Sequence, residues 1–212
     1  MKIRWLNHAC FLIENEAGKK VLCDPFDDRL GYPVPDVAVD VVTVSHGHFD
    51  HSYVEKIPAG YVLVDDAAPF CGDGFSIRAV DSFHDEQEGA LRGANRIYVI
   101  EGDAIRVAHL GDLGHVPDDK LLALLGPVDV LMVPVGGFYT LDAAAAKQVV
   151  EAIAPAVTIP MHYRTTTWND ERIAPVEVFL ALMGQAPLRC TQLELHRETM
   201  GEAAGLVVME ME

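Results

Sequence analysis

The pattern of apolar and polar positions separates a strand-rich first half of the chain from a second half that also contains helices. Short apolar runs set apart by Gly, Pro and Asp are typical of β-strands. Several of these runs are apolar throughout and do not alternate, which indicates strands buried on both faces. We predict strands in WLNHACFLIE, KKVLCD, DVVTVS, GYVLVD, FSIRAVDSF, NRIYVIEG, AIRVAHLGD, AVTIP, QLELHR and GLVVMEM.

Three segments of the second half have helical patterns with recognisable ends. DDKLLALLG is a short helix that ends at Gly126. TLDAAAAKQVVEAI is a longer one, with Thr140 as its N-cap and Asp142 near the positive end of the helix dipole. APVEVFLALMG has Pro175 in its first turn and Gly184 just past its end. Helices placed among buried strands predict an α/β (α+β) fold in which sheets lie between helical layers.

Length and composition favour one ordinary globular domain. The 212 residues contain no repeat, low-complexity linker or compositional break, so we predict a single domain over residues 1–212. The chain has 16 Lys and Arg against 32 Asp and Glu, which gives a net charge of −16. Because phosphate contacts supply most of the affinity for nucleic acids, this charge argues against a nucleic-acid partner.

The cysteines and the amino-terminal pattern indicate a cytoplasmic protein. The four cysteines are widely spaced without a CxxC pair, so we expect mostly buried, reduced thiols. The first apolar run is interrupted by Arg4, Asn7 and His8, unlike a signal peptide. No run approaches the roughly 18 apolar residues of a membrane span, and no membrane partner is expected. The oligomeric state cannot be read from the sequence.

The segment HGHFDH, residues 46–51, carries three histidines and an aspartate directly after the strand DVVTVS. Neutral imidazole and carboxylate are good ligands for zinc and similar divalent ions. His46 and His48, two apart in an extended segment, are expected to project to one side and to chelate one ion. Asp50 and His51 lie past a bend, where they can bind a second ion. We therefore predict metal binding by this loop.

Three other strands end in ligand-type residues. His84 in AVDSFHDE, Asp112 in AHLGDLGH and His162 in TIPMHYRT each follow an apolar run. Strand ends on a rigid scaffold are where catalytic loops usually lie. We predict that these residues complete a two-metal site with the HGHFDH segment.

The HxHxDH pattern, followed in order by His, Asp and His, resembles the signature of the metallo-β-lactamase superfamily. The resemblance extends over nearly the whole chain. VLCDPF, HLGD, PVGGFYTLDA and IPMHYRT look like the branch that includes the ascorbate-phosphate lactonase and related uncharacterised hydrolases. LRGAN favours the uncharacterised subgroup, and GDL replaces a frequent GDT at Leu113 without removing the ligand. The family fold implied is a four-layer αββα sandwich of two mixed β-sheets flanked by helices.

The resemblance also implies two divalent ions, with Zn²⁺ as the first expectation and Mn²⁺ or Fe²⁺ as alternatives. Carried over by position, Asp112 is the bridging carboxylate, and Asp50 is also the catalytic residue that accepts a hydrogen bond from the attacking hydroxide. The ligands implied are His46, His48 and His84 for the first ion and Asp50, His51 and His162 for the second.

Six further residues are predicted, on weaker grounds, to support the ligands or to contact the substrate. Asp24 orients a ligating histidine or is simply a turn residue before Pro25. Arg164 meets an anionic group of the substrate or forms a surface ion pair. His109 is expected in the core. The six residues are Asp24, His8, Arg92, Asn95, Tyr139 and Arg164.

The predicted function is hydrolysis of a small-molecule ester, lactone, amide or phosphoester by a metal-bridging hydroxide. Two ions about 3.5–4 Å apart lower the pKa of a shared water towards neutrality, and no G-x-S-x-G nucleophile motif is present. The alternatives are a redox di-iron protein, an RNA- or DNA-processing nuclease and a non-catalytic metal-binding protein. The first usually has a carboxylate where this chain has His48. The charge of −16 argues against the second, and the complete ligand set argues against the third.

Overall fold

Two mixed β-sheets form the frame of the computed structural model, which describes residues 1–202 and 205–211. The strands are β1 (Lys2–Trp5), β2 (Phe11–Glu14), β3 (Lys20–Cys23), β4 (Val41–Thr43), β5 (Val62–Val64), β6 (Phe70–Gly72), β7 (Phe75–Phe83), β8 (Ala94–Gly102), β9 (Ile105–His109), β10 (Val130–Pro134), β11 (Val157–Met161), β12 (Leu188–Cys190), β13 (Gln192–Glu194) and β14 (Gly205–Met209). The helices are α1 (Asp119–Leu125), α2 (Ala143–Ile153) and α3 (Val176–Met183).

The first sheet has six strands in the order β13-β1-β2-β3-β4-β5, and the second has eight in the order β12-β14-β11-β10-β9-β8-β7-β6. Strands β9, β10, β11 and β14 are parallel neighbours. Strands β10 and β11 are buried at every position, as their continuous apolar sequences require when both faces are covered. The predicted sandwich of two mixed sheets is confirmed.

The two faces of the first sheet enter different cores. Alternation along β2, β3 and β4 sends Ile13, Val21 and Val41 into the main core, which the second sheet shares. The alternate residues Leu12, Leu22 and Val42 enter a smaller core on the opposite face. That smaller core is closed by the loop side chains Phe26, Tyr32 and Ile57 and by Leu30 of a 3₁₀ helix, Asp28–Leu30.

The helices lie on the side of the second sheet. Helix α1 contacts β7, α2 contacts β10, and α3 packs against α2. The outer layer of the first sheet is therefore built from loops and a 3₁₀ turn where the sequence led us to expect α-helix. The segment between β3 and β4 contains three prolines and lacks a 3.6-residue apolar period, which explains why no α-helix forms there.

The first predicted strand, WLNHACFLIE, is in fact a hairpin. Strand β1 ends at Trp5 and β2 begins at Phe11, and these two residues face each other in an antiparallel pair. In the turn between them, Asn7 and His8 have positive φ values of 84° and 55°. Because apolar residues flank this turn on both sides, the sequence pattern predicted one continuous strand. As a result His8 lies at a sheet end and not inside a strand.

The ends of the helices follow local chemistry, with one correction. Helix α1 ends before Gly126 and α3 before Gly184, as predicted. The N-cap of α2 is Asp142 and not Thr140, because the Asp142 carboxylate accepts a 2.8 Å hydrogen bond from the Ala145 N–H. Pro175 occupies the N-cap position of α3 and not its first turn.

The cysteines are all free, but only two of them are buried. Cys10 and Cys23 lie in the interior, Cys71 is exposed and Cys190 is half-buried. Within residues 1–202 and 205–211, none of the helices has the length and apolar character needed to span a bilayer.

Candidate metal centre

The sheet topology brings the predicted ligands to one end of the sandwich. In the second sheet β7, β9 and β11 run in the same direction, so their carboxyl ends share an edge. In the first sheet β1, β3 and β4 likewise run together. The residues that follow these six strands are His8 after β1, Asp24 after β3, the 46–51 segment after β4, His84 after β7, Asp112 after β9 and His162 after β11.

One group of possible metal-binding atoms comes from His46, His48 and His84, with one atom of each within 4.8 Å of the others. His46 Nε2 lies 3.0 Å from His48 Nδ1. Residues 45–48 form a bend and not the extended segment predicted for His46 and His48, and the His51 N–H bonds the His48 carbonyl oxygen in the turn that follows. The two imidazoles therefore meet through a bend and not through the period-two alternation of a strand.

A second group comes from Asp50, His51, His162 and also His8, again within 4.8 Å of one another. His8 Nε2 lies 3.2 Å from Asp50 Oδ2, and His51 Nε2 lies 3.7 Å from the same oxygen. The rings of His8 and His162 are 4.1 Å apart between centroids. His8 thus belongs to the centre itself, where the sequence predicted only support of the ligands or contact with the substrate.

Asp112 lies between the two groups. Its Oδ2 is 3.0 Å from His84 Nε2 and 3.3 Å from His162 Nε2. Its Oδ1 is 3.2 Å from His51 Nε2. One carboxylate therefore touches imidazoles of both groups, which is the position that a bridging ligand requires.

Asp24 supports one histidine of each group, His51 directly and His46 through Ser45. The fully buried Asp24 carboxylate accepts hydrogen bonds from Ser45 N and Ser45 Oγ and lies 2.8 Å from His51 Nδ1. Ser45 Oγ is also 2.9 Å from His46 Nδ1. Held at Nδ1, both rings turn Nε2 towards the centre, as expected for ligating histidines. His109 is a core histidine, with Nε2 2.7 Å from the Ala9 carbonyl oxygen.

Asn95 fixes the loop that carries Asp112. Its Oδ1 accepts a 2.9 Å hydrogen bond from the Asp112 N–H, and its Nδ2 donates to the Leu110 carbonyl oxygen and to Ser82 Oγ. The amide is buried, and its contacts are with the backbone and Ser82. Asn95 therefore supports the backbone at Asp112 from a buried position.

The charges of the centre are arranged for cation binding. Burial lowers the pKa of His46 to about 3, and it lowers the pKa of His8 to about 4 with help from His162. Burial alone would raise the pKa of Asp112, but His162 and His51 hold it well below its usual range. Burial would lower the pKa of His51, yet the Asp112 and Asp50 carboxylates raise it well above 6.5. His46 and His8 are thus neutral imidazoles at neutral pH, and Asp112 is an ionised carboxylate.

Several polar atoms of the centre are buried without a hydrogen-bond partner in the described part of the chain. They include both ring nitrogens of His162, and also His51 Nε2 and Asp112 Oδ1, whose 3.2 Å approach lacks hydrogen-bond geometry. An unpaired buried polar atom costs about 1–3 kcal/mol, so such atoms need an explanation. Divalent cations between the two groups would engage these lone pairs, and a set of imidazoles and carboxylates suits zinc, iron or manganese. The residues present fit a metal centre.

The remaining predicted residues lie at different distances from the centre. Arg92 and Tyr139 line a cavity that also borders His84. Arg164 lies instead in a groove lined by Tyr163, Glu177, Arg189 and neighbouring residues, which includes none of the predicted metal ligands. The sequence placed Arg164 near the centre because it follows His162 by two residues, but the chain turns away.

The structure also adds contacts that the sequence did not signal. Ser45 links Asp24 to His46, and Trp168 packs edge-on against His8 with the ring centroids 4.4 Å apart. Gly136 packs so tightly against His162 that a Cβ there would lie 2.2 Å from the His162 carbonyl oxygen. A serine directly before the first histidine was the available hint for Ser45. Trp168 and Gly136 are far in sequence from the residues they support.

Similarity to known proteins identifies the family. The sequence model of the β-lactamase superfamily domain matches residues 2–162, which is more than half of the chain. The chain belongs to this superfamily. A UPF0173 protein of Pyrococcus furiosus is 35% identical over 192 residues, covering 80% of this chain and 87% of the relative. A UPF0173 metal-dependent hydrolase of the same organism is 31% identical over 216 residues, covering 87% of this chain and 93% of the relative.

A solved structure agrees with this membership. It is that of a candidate Zn-dependent hydrolase of the metallo-β-lactamase superfamily from Thermotoga maritima, with a TM-score of 0.82 and 39% identity. The match covers 100% of this chain and 99% of the other. The chain is thus a metal-dependent hydrolase of the metallo-β-lactamase superfamily, as the HxHxDH pattern predicted.

Proposed function

We propose that the chain is a hydrolase with a dinuclear metal centre that cleaves a small ester, lactone, amide or phosphoester. The observation that carries this proposal is the position of Asp112, whose two oxygens lie 3.0–3.3 Å from imidazoles of both ligand groups. A mononuclear site would need only one group. Two groups joined by one carboxylate are the arrangement expected of two neighbouring ions.

The first ion is assigned to His46, His48 and His84, and the second to Asp50, His51 and His162, with Asp112 shared. His8 is added to the second set because its Nε2 approaches Asp50 and its ring packs on His162. Zinc is the first expectation for imidazole-rich sites, and manganese or iron are alternatives. When bound, such ions lower the pKa of a water towards neutrality and polarise the bond under attack.

Asp50 is the residue assigned to orient the attacking water. Its side chain is 14% exposed, whereas those of Asp24 and Asp112 are 0% and 2% exposed, so it is the carboxylate that water and substrate can reach. The pKa of Asp50 is lowered: burial opposes ionisation, but His51 and His8 outweigh it. An ionised, accessible carboxylate at the centre can accept a hydrogen bond from the attacking water and hold it in line.

Two further observations favour hydrolysis of small molecules over the alternatives. A di-iron redox protein of this fold usually has a carboxylate at the second motif position, where this chain has His48. A nuclease would need cationic surface, and the chain carries a net charge of −16. Both arguments support the proposal without defining the substrate.

The test combines metal analysis with an activity screen. Purified protein reconstituted with Zn²⁺, Mn²⁺ or Fe²⁺ should hold about two ions per chain by elemental analysis, and it should hydrolyse at least one of a panel of lactones, phosphodiesters, thioesters and acyl amides. Asp112→Ala should lose ions and hydrolysis together. Asp36→Ala removes an exposed carboxylate outside the centre and should lose neither.

A protein that binds no transition metal after reconstitution would contradict the proposal. One ion per chain with full activity would contradict the dinuclear assignment while leaving metal-dependent hydrolysis in place. Retention of both ions in Asp112→Ala would remove the bridging role.

A further inference from the structure

A cavity of about 280 Å³ opens beside His84, and its walls differ in character. Phe138, Tyr139 and Thr140 form one wall, and Arg92 forms part of another. Phe138 is 52% exposed, which is high for a phenylalanine in a folded protein. The cavity therefore joins an aromatic surface and a guanidinium to a residue of the proposed metal centre.

The position of Arg92 is fixed by the loop that follows His84. The Asp85 carboxylate accepts hydrogen bonds from the backbone N–H groups of Gln87, Gly89, Leu91 and Arg92, with distances of 2.7–3.0 Å. At the other end of the side chain, Arg92 Nη2 donates a 2.8 Å hydrogen bond to the Phe138 carbonyl oxygen. Arg92 is thus held at both ends against the cavity.

The guanidinium of Arg92 has no carboxylate partner among residues 1–202 and 205–211. Three acids also line the cavity: Asp85 holds the loop backbone, Asp142 caps α2, and Glu86 forms no ion pair with Arg92. Arg172, which lies over the same two aromatic rings, is neutralised by a close ion pair with Asp170. Among the described residues, Arg92 is thus a guanidinium without an ion pair at the edge of this cavity, in a chain with a net charge of −16.

We propose that Arg92 binds an anionic group of the substrate, a carboxylate or a phosphate, while Phe138 and Tyr139 contact an adjoining planar or apolar part. The inference rests on the proposed function and specifies its substrate class. A guanidinium has five N–H donors, of which the Phe138 carbonyl takes one. The others suit two-point binding of carboxylate or phosphate oxygens.

The experiment measures ligand binding and does not depend on turnover. Binding of 4-fluorobenzoate, 4-fluorophenyl phosphate and the neutral 4-fluorobenzamide to the metal-reconstituted protein is followed by ¹⁹F NMR. The wild-type protein should bind at least one of the anions more tightly than the amide. Arg92→Gln should reduce that preference about tenfold or more, and Arg92→Lys should retain part of it. The anion more affected identifies the group that the site prefers.

Arg172→Gln is the matched control, because it removes a guanidinium from the same aromatic rings but one already paired with Asp170. It should leave the preference unchanged. Metal content is measured in every variant, so contributions of the ions to anion binding are held constant. Equal binding of anions and amide by the wild type, or an unchanged preference in Arg92→Gln, would overturn the inference. A chain without bound metal would instead show that the proposed function had failed.

Discussion

Asp24 Oδ2 lies 2.8 Å from His51 Nδ1, with both side chains fully buried. The same carboxylate accepts hydrogen bonds from the backbone and hydroxyl of Ser45, whose hydroxyl contacts His46 Nδ1. One aspartate at the end of β3 thus orients an imidazole in each of the two proposed ligand groups. Both rings are held so that Nε2 faces the centre.

Replacing Asp24 should therefore weaken metal binding although the residue touches no ion in our assignment. Loss of a group that orients a ligating imidazole typically lowers metal affinity by about 10–100-fold. We expect Asp24→Asn to fall in this range, measured by competition with a chromophoric chelator. Asp27→Asn, on the same loop and paired with Arg29, should bind metal like the wild type. Unchanged affinity in Asp24→Asn would show that His51 and His46 are oriented without it.

Gly136 is predicted to be as necessary for His162 as Asp24 is for His51. A Cβ at position 136 would lie 2.2 Å from the His162 carbonyl oxygen and 2.5 Å from Ile173 Cγ2. Because the backbone of His162, a proposed metal ligand, is the nearer obstacle, Gly136→Ala should displace His162. We expect a loss of about 1–3 kcal/mol in the free energy of unfolding, by urea denaturation, together with weaker metal binding.

Gly201→Ala is the control for this substitution, since a Cβ there meets nothing within 4 Å. It should leave both the unfolding free energy and the metal content close to the wild type. If Gly136→Ala binds two ions with normal affinity, then the position of His162 does not depend on this contact.

The centre was more predictable from the sequence than the layers around it. Candidate ligand residues that directly follow apolar runs can be recognised from the sequence alone. Parallel strands then place these residues at a common edge of the sheet. By contrast, the part played by His8 depends on a hairpin turn concealed within an apolar run. The support from Trp168 and Gly136 arises from contacts with His8, 160 residues away, and with His162, 26 residues away, for which the sequence gives no local signal.

The geometry of the ligand loop also differed from its prediction for a physical reason. Period-two alternation holds only while a segment pairs in a sheet, and β4 ends at Thr43, before the histidines begin. The loop then bends, because Ser45 is held by Asp24 and the His51 N–H bonds the His48 carbonyl oxygen. The residue types were sufficient to predict metal binding by this loop. Its conformation was not predictable in the same way, because it depends on the tertiary contact between Ser45 and Asp24.

The cap of α2 offers a test of local structure that is independent of the metal. The Asp142 carboxylate accepts a hydrogen bond from the Ala145 N–H, whereas the Thr140 hydroxyl lies 3.4 Å from the Leu141 carbonyl oxygen. Asp142→Ala should therefore lower the unfolding free energy by about 1 kcal/mol, and Thr140→Ala by clearly less. Urea denaturation of the two variants gives the comparison. An equal loss in both would contradict the assignment of the cap.

Metal uptake should release protons, and the pKa shifts give the direction. The pKa of His51 is raised well above 6.5: burial lowers it, but the surrounding carboxylates outweigh burial. The metal-free protein therefore holds a proton on His51 at neutral pH, while His46 and His8, with pKa values near 3 and 4, hold none. A metal ion can bind His51 Nε2 only after this proton leaves, so apparent affinity should rise with pH below the His51 pKa.

At pH 7, metal binding is expected to release about one proton per chain from His51. The apparent metal affinity should then rise with pH by close to tenfold per pH unit. Calorimetric titration of the metal-free protein with Zn²⁺ in buffers of different ionisation enthalpy measures the released protons directly. Asp24→Asn removes one of the carboxylates that raise the His51 pKa, so it should release fewer protons at the same pH. Affinity that is flat between pH 6 and 8, with no proton release, would show that His51 is already neutral before the metal binds.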